Sequence, residues 1–145
     1  MMARVVVVAD SGSALADLTA AVASVQGACI VRHASGRSPV ERLMATLKPD
    51  LVVIGDLGVP AHALARLAEI RRAAPAARSV VLSDNADAAW LADALRAEAA
   101  AVLPGHVDAR TLGVVLGEVL AERPTLLRRL PPSTADGGIP AEAAA

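Results

Sequence analysis

The stretch that decides the fold is Leu51-Val-Val-Ile-Gly-Asp-Leu-Gly-Val-Pro60. It begins with a short aliphatic, largely β-branched run, which is typical of a strand buried on both faces of a parallel sheet. The run then delivers one carboxylate, Asp56, to the end of the strand, and a proline follows four residues later. We therefore expect Asp56 to lie in a crevice at one edge of a sheet.

Two further strand ends carry oxygen-bearing side chains. The run Arg4–Ala9 leads into Asp10, and the run Ser79–Leu82 leads into Ser83. In open parallel sheets, ligands bind beyond the carboxyl ends of the strands, so these side chains and Asp56 are expected to meet. Such a site could hold Mg²⁺ through oxygen ligands and water, and the cation could steady a phosphoryl group on one carboxylate. The alternative is purely structural: Asp10 caps a helix, Asp56 starts a turn and Ser83 ends a strand.

Strand and helix periods alternate along the whole chain. The predicted strands are residues 4–9, 28–33, 51–56, 79–82 and 100–103, and the predicted helices are residues 13–25, 38–48, 61–74, 86–99 and a last helix capped by Asp108. This alternation predicts an α/β fold with a doubly wound, five-stranded parallel sheet.

Two helices carry specific predictions. The second helix is expected to open at Ser38-Pro39, with the proline at the first helical position. The third helix repeats apolar residues at helical spacing, and its charged residues are expected to face solvent. Those charged residues are Arg66, Glu69, Arg71 and Arg72.

Composition excludes several classes of function. The 145 residues have a formal net charge of −1, which argues against this chain gripping nucleic acid by itself. One cysteine allows no intramolecular disulfide and no thiolate metal cage, so we expect a cytoplasmic protein. Residues 1–10 contain too few apolar positions for a signal peptide or a membrane span.

We expect one compact domain over residues 1–122 and a flexible tail or linker over residues 123–145.

A nucleotide- or flavin-binding enzyme is a third class to weigh, because doubly wound sheets host many ligands. The loop Asp10-Ser-Gly-Ser13 could cradle a phosphate at a helix N-terminus. However, it has a single glycine and matches neither common phosphate-loop motif. The chain also has no Phe or Tyr and only Trp90 to stack on a flat ligand. We therefore expect a protein that is not an enzyme.

These residues resemble the receiver domain of bacterial two-component response regulators, over roughly residues 3–122. The resemblance implies a flavodoxin-like sheet with strand order 2-1-3-4-5 and makes Asp56 the candidate phosphoacceptor. It also implies that Ser83 contacts the incoming phosphoryl group and that Asp10 and Asp56 hold Mg²⁺. The stretch 86–103 is similar to receivers attached to LuxR-type DNA-binding domains.

The chain departs from the receiver pattern at three positions. Ser11 replaces the second acidic residue of the cation site and should weaken Mg²⁺ binding. Gly105 stands where the family has a lysine that pairs with the phosphoryl group. Val102 stands at the position of the aromatic switch residue. Losing a buried charge-assisted contact commonly costs on the order of a few kcal/mol. A loss of this size is enough to uncouple phosphorylation from conformational change.

Two hypotheses follow. In the favoured one, the chain is a degenerate receiver that acts as a homodimer or docks another signalling protein, and any DNA contact comes from an output domain outside this chain. In the other, a histidine kinase phosphorylates Asp56 with Mg²⁺ bound, and the domain is a working switch.

Overall fold

The computed structural model describes residues 2–10, 13–85 and 87–121, without the side chains of residues 13 and 14. The predictions for Ser11 and for the tail over residues 123–145 therefore lie outside the described residues, as does the domain boundary at residue 122. The elements are β1 (Ala3–Val8), α1 (Ser13–Ala23), β2 (Ala28–Ala34), α2 (Glu41–Leu47), β3 (Leu51–Ile54), α3 (Pro60–Ala73), β4 (Arg78–Leu82), α4 (Ala88–Arg96), β5 (Ala101–Leu103) and α5 (Ala109–Ala121).

The five strands form one parallel sheet in the order β2-β1-β3-β4-β5. The predicted fold class and strand order are therefore confirmed. The chain runs from β1 to the edge strand β2 and then returns past β1 to β3, so the winding direction reverses between β1 and β3. This reversal places the carboxyl ends of β1 and β3 side by side.

The core consists of two layers, one on each face of the sheet. Because side chains alternate along a strand, Val6, Val52 and Ile54 face α2, α3 and α4, while Val5 and Val53 face α1 and α5. All five of these side chains are fully buried. The unbroken aliphatic runs in the sequence thus reflect strands that are covered on both sides.

Aspartates begin two of the helices. The Asp108 carboxylate accepts the Thr111 backbone N–H at 2.7 Å, which confirms the predicted cap of α5. Asp87 accepts the Trp90 N–H at 2.9 Å and caps α4, which begins two residues later than predicted. The indole of Trp90 is buried, and its Nε1–H donates to the Pro60 carbonyl at 2.9 Å. Trp90 therefore joins α4 to the first turn of α3.

The prediction that Arg66 and Glu69 face solvent is wrong. Both residues are buried and form an ion pair, with Arg66 Nη2 2.9 Å from Glu69 Oε2. Arg66 also donates to the Gly36 carbonyl at 3.0 Å, and Glu69 accepts the Val40 N–H at 2.8 Å. This pair anchors the β2–α2 connection to α3. Arg71 and Arg72 are exposed, as predicted.

The predicted start of the second helix is also wrong. α2 begins at Glu41, two residues after Pro39, and Val40 is its N-cap. Because the Val40 N–H is held by Glu69 from another helix, the chain enters α2 later than the Ser38-Pro39 signal indicates. Pro60, by contrast, occupies the first position of α3. Among the described residues, no helix combines the length and the apolar composition needed to cross a bilayer.

Candidate functional site at the carboxyl edge of the sheet

Asp56 lies where β3 leaves the sheet, and its carboxylate is exposed. One oxygen, Oδ1, accepts the Gly58 backbone N–H at 3.0 Å. This tight turn needs the left-handed backbone of Gly58, whose φ is +78°. The predicted structural role of Asp56 in starting a turn is therefore present, and the second oxygen, Oδ2, remains directed away from that turn toward Gly105.

Ser83 shares a cavity with Asp56. The cavity has a volume of about 290 Å³, and its walls are formed by Asp56–Pro60, Ala63 and Leu82–Asn85. The half-buried Ser83 hydroxyl accepts the Asn85 N–H at 3.0 Å, while its backbone N–H donates to the Leu103 carbonyl at 2.8 Å. The structure therefore brings together two of the three predicted site residues.

Asp10 does not line this cavity. The register pairs Val8 with Ile54, so the backbones leading to Asp10 and Asp56 run side by side. The Asp10 carboxylate, however, lies 3.9 Å from the Arg37 guanidinium in the loop after β2. The nearest cationic partner recorded for Asp10 is thus an exposed arginine, in a surface contact that contributes little energy.

Gly105 lies beside the Asp56 carboxylate. A Cβ atom at Gly105 would lie 2.7 Å from Asp56 Oδ2 and 3.2 Å from Asp84 Oδ2, distances too short for an ordinary contact. The two carboxylates therefore flank the position at which the receiver pattern has a lysine. A side chain at this position requires both carboxylates to move.

Asp84 is a member of the site that the sequence analysis missed. Its Oδ1 accepts the Gly105 N–H at 2.8 Å and lies 3.1 Å from His106 Nδ1. The Gly105 hydrogen bond, followed by the His106 contact, holds the pKa of Asp84 below its ordinary value. These contacts join the loops after β4 and β5. The only local signal was the position of Asp84 directly after Ser83 at a strand end.

Among the described residues, the contacts of Asp10 and Asp56 do not by themselves assemble a Mg²⁺ site. Magnesium in proteins is usually held by one or two carboxylates together with waters and phosphate oxygens. Here the Asp10 carboxylate faces Arg37. Within residues 2–10, 13–85 and 87–121, no three His, Cys, Asp or Glu side chains are grouped to hold a metal ion. The predicted pairing of Asp10 and Asp56 around a cation thus gains no support from their contacts.

Val102 lies in β5, half-buried beside the core layer that contains α3 and α4. Its short aliphatic side chain has no ring that could move between a buried and an exposed position. The position that the receiver pattern assigns to an aromatic switch is therefore filled by a residue that only packs.

Several solved structures are similar to this chain. A response regulator from Thermotoga maritima is 18% identical, with a TM-score of 0.71, and the match covers 84% of this chain and 100% of that one. A LuxR-family two-component response regulator from Aurantimonas sp. SI85-9A1 is 23% identical, with a TM-score of 0.69 and coverage of 83% and 86%. A Burkholderia thailandensis protein named for pilus assembly is 21% identical, with a TM-score of 0.67 and coverage of 83% and 100%.

No protein-family model matches the chain, and no curated protein matches it. The three matches cover 83–84% of this chain. The chain therefore has the fold of the receiver domains of two-component response regulators.

Proposed function

We propose that this chain is a degenerate receiver: a signalling module that acts by pairing with a second copy or by docking another protein, without regulated phosphorylation. The observation that carries the proposal is Gly105, which puts no side chain, and so no cation, beside the Asp56 and Asp84 carboxylates; a Cβ atom there would lie 2.7 Å from Asp56 Oδ2 and 3.2 Å from Asp84 Oδ2. A phosphoryl group on Asp56 would bring added negative charge beside Asp84. Among the described residues, no cationic side chain forms an ion pair with Asp56.

The absence of a cationic partner for Asp56 among the described residues matters for electrostatic reasons. A phosphorylated aspartate is stabilised when cations surround its oxygens, and like charges at short range oppose its formation. His106 lies at the same end of the sheet but contacts Asp84 rather than Asp56. Val102 offers no ring to report a modification to the surface of α4 and β5. Each of these features supports a domain whose shape, rather than its phosphorylation state, is used.

The second candidate is a working switch in which a histidine kinase transfers a phosphoryl group to Asp56. One observation favours it: the exposed Asp56 carboxylate and the Ser83 hydroxyl line the same cavity of about 290 Å³. A phosphoryl donor could thus reach the carboxylate from solvent. Because Ser11 stands at the second acidic position of the cation site, we expect Mg²⁺ to bind weakly in this candidate.

Incubating the full chain with acetyl phosphate and Mg²⁺, followed by intact mass measurement, separates the two candidates. The degenerate receiver is expected to show no stoichiometric mass increase and no change of oligomeric state with beryllium fluoride. Asp56→Asn is the matched control. A stoichiometric increase that Asp56→Asn abolishes would establish the working switch and defeat the proposal.

We further propose that the module serves a cytoplasmic regulator, that it is not itself an enzyme, and that any DNA contact is made by an output domain outside this chain. The similarity to a LuxR-family regulator supports a DNA-binding output. The similarity to a protein named for pilus assembly shows that this fold also occurs in other settings. Binding of the full-length natural protein to its own promoter region would test the DNA-binding output.

A further inference from the structure

A cavity of about 260 Å³ lies at the amino end of β4, at the edge of the sheet opposite to Asp56. Its walls come from α3, the start of β4 and the turn after α4. Leu67 and Ile70 of α3 form an apolar wall, and both are buried. Ligand sites in proteins are concave and mostly apolar, and a few polar groups give them specificity. The polar groups of this cavity therefore decide which ligand fits it.

Ser79 places a hydroxyl in this cavity. Only 4% of the residue is exposed, and it faces the core layer of α3 and α4, because it lies two positions before Val81 on the same strand. Among the described residues, none forms a hydrogen bond with the Ser79 hydroxyl. The oxygen is not sealed off either, since Arg66 Nε is the only unpartnered side-chain atom that the described part of the chain fully encloses. Because buried polar groups are almost always hydrogen-bonded, this hydroxyl needs a partner that enters the cavity.

The charged residues that line the cavity do not favour a charged ligand. Arg71 Nη2 lies 3.4 Å from Glu98 Oε2, and both side chains are more than half exposed, so this pair neutralises itself at the mouth of the cavity. Arg78 donates from Nη1 to the carbonyl of Val119 in α5, which packs on the other face of the sheet. The cavity thus offers apolar walls, a neutral mouth and one hydroxyl.

We propose that this cavity binds a small, uncharged alcohol or phenol, whose apolar body packs against α3 and whose hydroxyl forms a hydrogen bond with Ser79. A hydroxyl group both donates and accepts, so it can pair with the serine in either direction. Because one water molecule occupies about 30 Å³ in the liquid, the cavity has room for a molecule the size of phenol. The site lies at the end of β4 remote from Asp56, so this inference does not depend on the proposed function.

Backbone amide NMR titration of the full chain with phenol and with toluene tests the site. The two probes have nearly the same shape, but only phenol carries a hydroxyl. Phenol is expected to shift the amide signals of residues 76–79, 97 and 98. Ser79→Ala is expected to lower the affinity for phenol relative to that for toluene about fivefold, because it removes one hydrogen bond. The same variant should leave the melting temperature unchanged or raise it, since no described residue loses a hydrogen bond.

Ser38→Ala is the matched control, because Ser38 is exposed and does not line the cavity. It should leave the ratio of the two affinities unchanged. Arg71→Gln tests the class of ligand: it should change the phenol affinity by less than about twofold, since the Arg71–Glu98 pair lies at the surface. Benzoate should bind more weakly than phenol. Three results would each overturn the inference: amide shifts confined to other parts of the chain or absent, an affinity ratio that Ser79→Ala leaves unchanged, and tight benzoate binding that Arg71→Gln removes.

Discussion

At the scale of single residues, Gly105 has the greatest influence on the candidate site. It brings a backbone N–H to Asp84 and allows the Asp56 carboxylate to lie where a side chain at residue 105 would otherwise stand. A lysine at this position would need Asp56 and Asp84 to move before its ammonium group could reach any ligand.

Gly105→Ala is expected to lower the free energy of unfolding by about 1 kcal/mol, because the new methyl group crowds two carboxylates. The cost is at the low end of the range for overpacking since Asp56 is exposed and can move. Urea denaturation measures it. The cost should shrink in an Asp56→Ala background, and an equal cost in both backgrounds would show that Asp56 is not the obstacle. Gly117→Ala is the control: its methyl group meets open space, and alanine inside a helix is expected to stabilise the chain rather than destabilise it.

Asp84 gives a pH dependence with a defined sign. Its pKa lies below the ordinary value of 3.8 in the folded chain because Gly105 and then His106 stabilise the carboxylate. A lowered folded-state pKa contributes stability above the unfolded value, and this stability is lost as the pH falls through the folded value. Carboxyl NMR titration should therefore place Asp84 below 3.8. His106→Ala should raise the Asp84 pKa only in part, because the Gly105 N–H remains; an unchanged pKa would show that the His106 contact is weak in solution.

At the scale of the elements, the buried pair Arg66 and Glu69 positions the loop that precedes α2. Its contacts reach Gly36 and Val40, about thirty residues earlier in the chain. Arg66 Nε has no hydrogen-bond partner among the described atoms, so the pair is not fully satisfied. Its role is therefore to fix the connection between two βα units rather than to add net stability.

Arg66→Met is expected to lower the free energy of unfolding by about 3–5 kcal/mol, because it leaves the Glu69 carboxylate buried without its cation. The double variant Arg66→Met/Glu69→Leu should be more stable than Arg66→Met alone. Urea denaturation compares the three chains. Arg72→Met is the control. Arg72 lies on the same helix as Arg66, but it is exposed and pairs with Glu41 of α2 at the surface, so its loss should change stability little. A double variant as unstable as the single one would contradict this account.

At the scale of the whole molecule, the sequence predicted the sheet because its strands are covered on both faces. Leu51–Ile54 and the valines of β1 read as strands without any tertiary information. The burial of Arg66 had a local signal, because Arg66 lies three residues after the buried Ala63 and four before the buried Ile70. The late start of α2 had no such signal, since it depends on a hydrogen bond between residues 29 positions apart.

The candidate site was also predictable only in part, because some of its contacts join residues that are far apart in the sequence. Residues that end neighbouring strands can be placed at one edge of a sheet from the sequence, and Asp56 and Ser83 do share a cavity there. The direction of each side chain depends on loops that the strand pattern does not describe. Asp10 faces Arg37, and Asp84 is joined to Gly105 and His106 across 21 and 22 residues.

Trp90 carries the sole aromatic ring among the Phe, Tyr and Trp residues of the chain. Its indole bridges α4 to the Pro60 carbonyl, at the end of the loop that begins with Asp56. Tryptophan fluorescence of the unlabelled protein therefore comes from a single side chain, at the contact between α3 and α4. Any ligand, partner or solvent condition that separates the two helices there can be followed by emission wavelength alone, without introducing a dye.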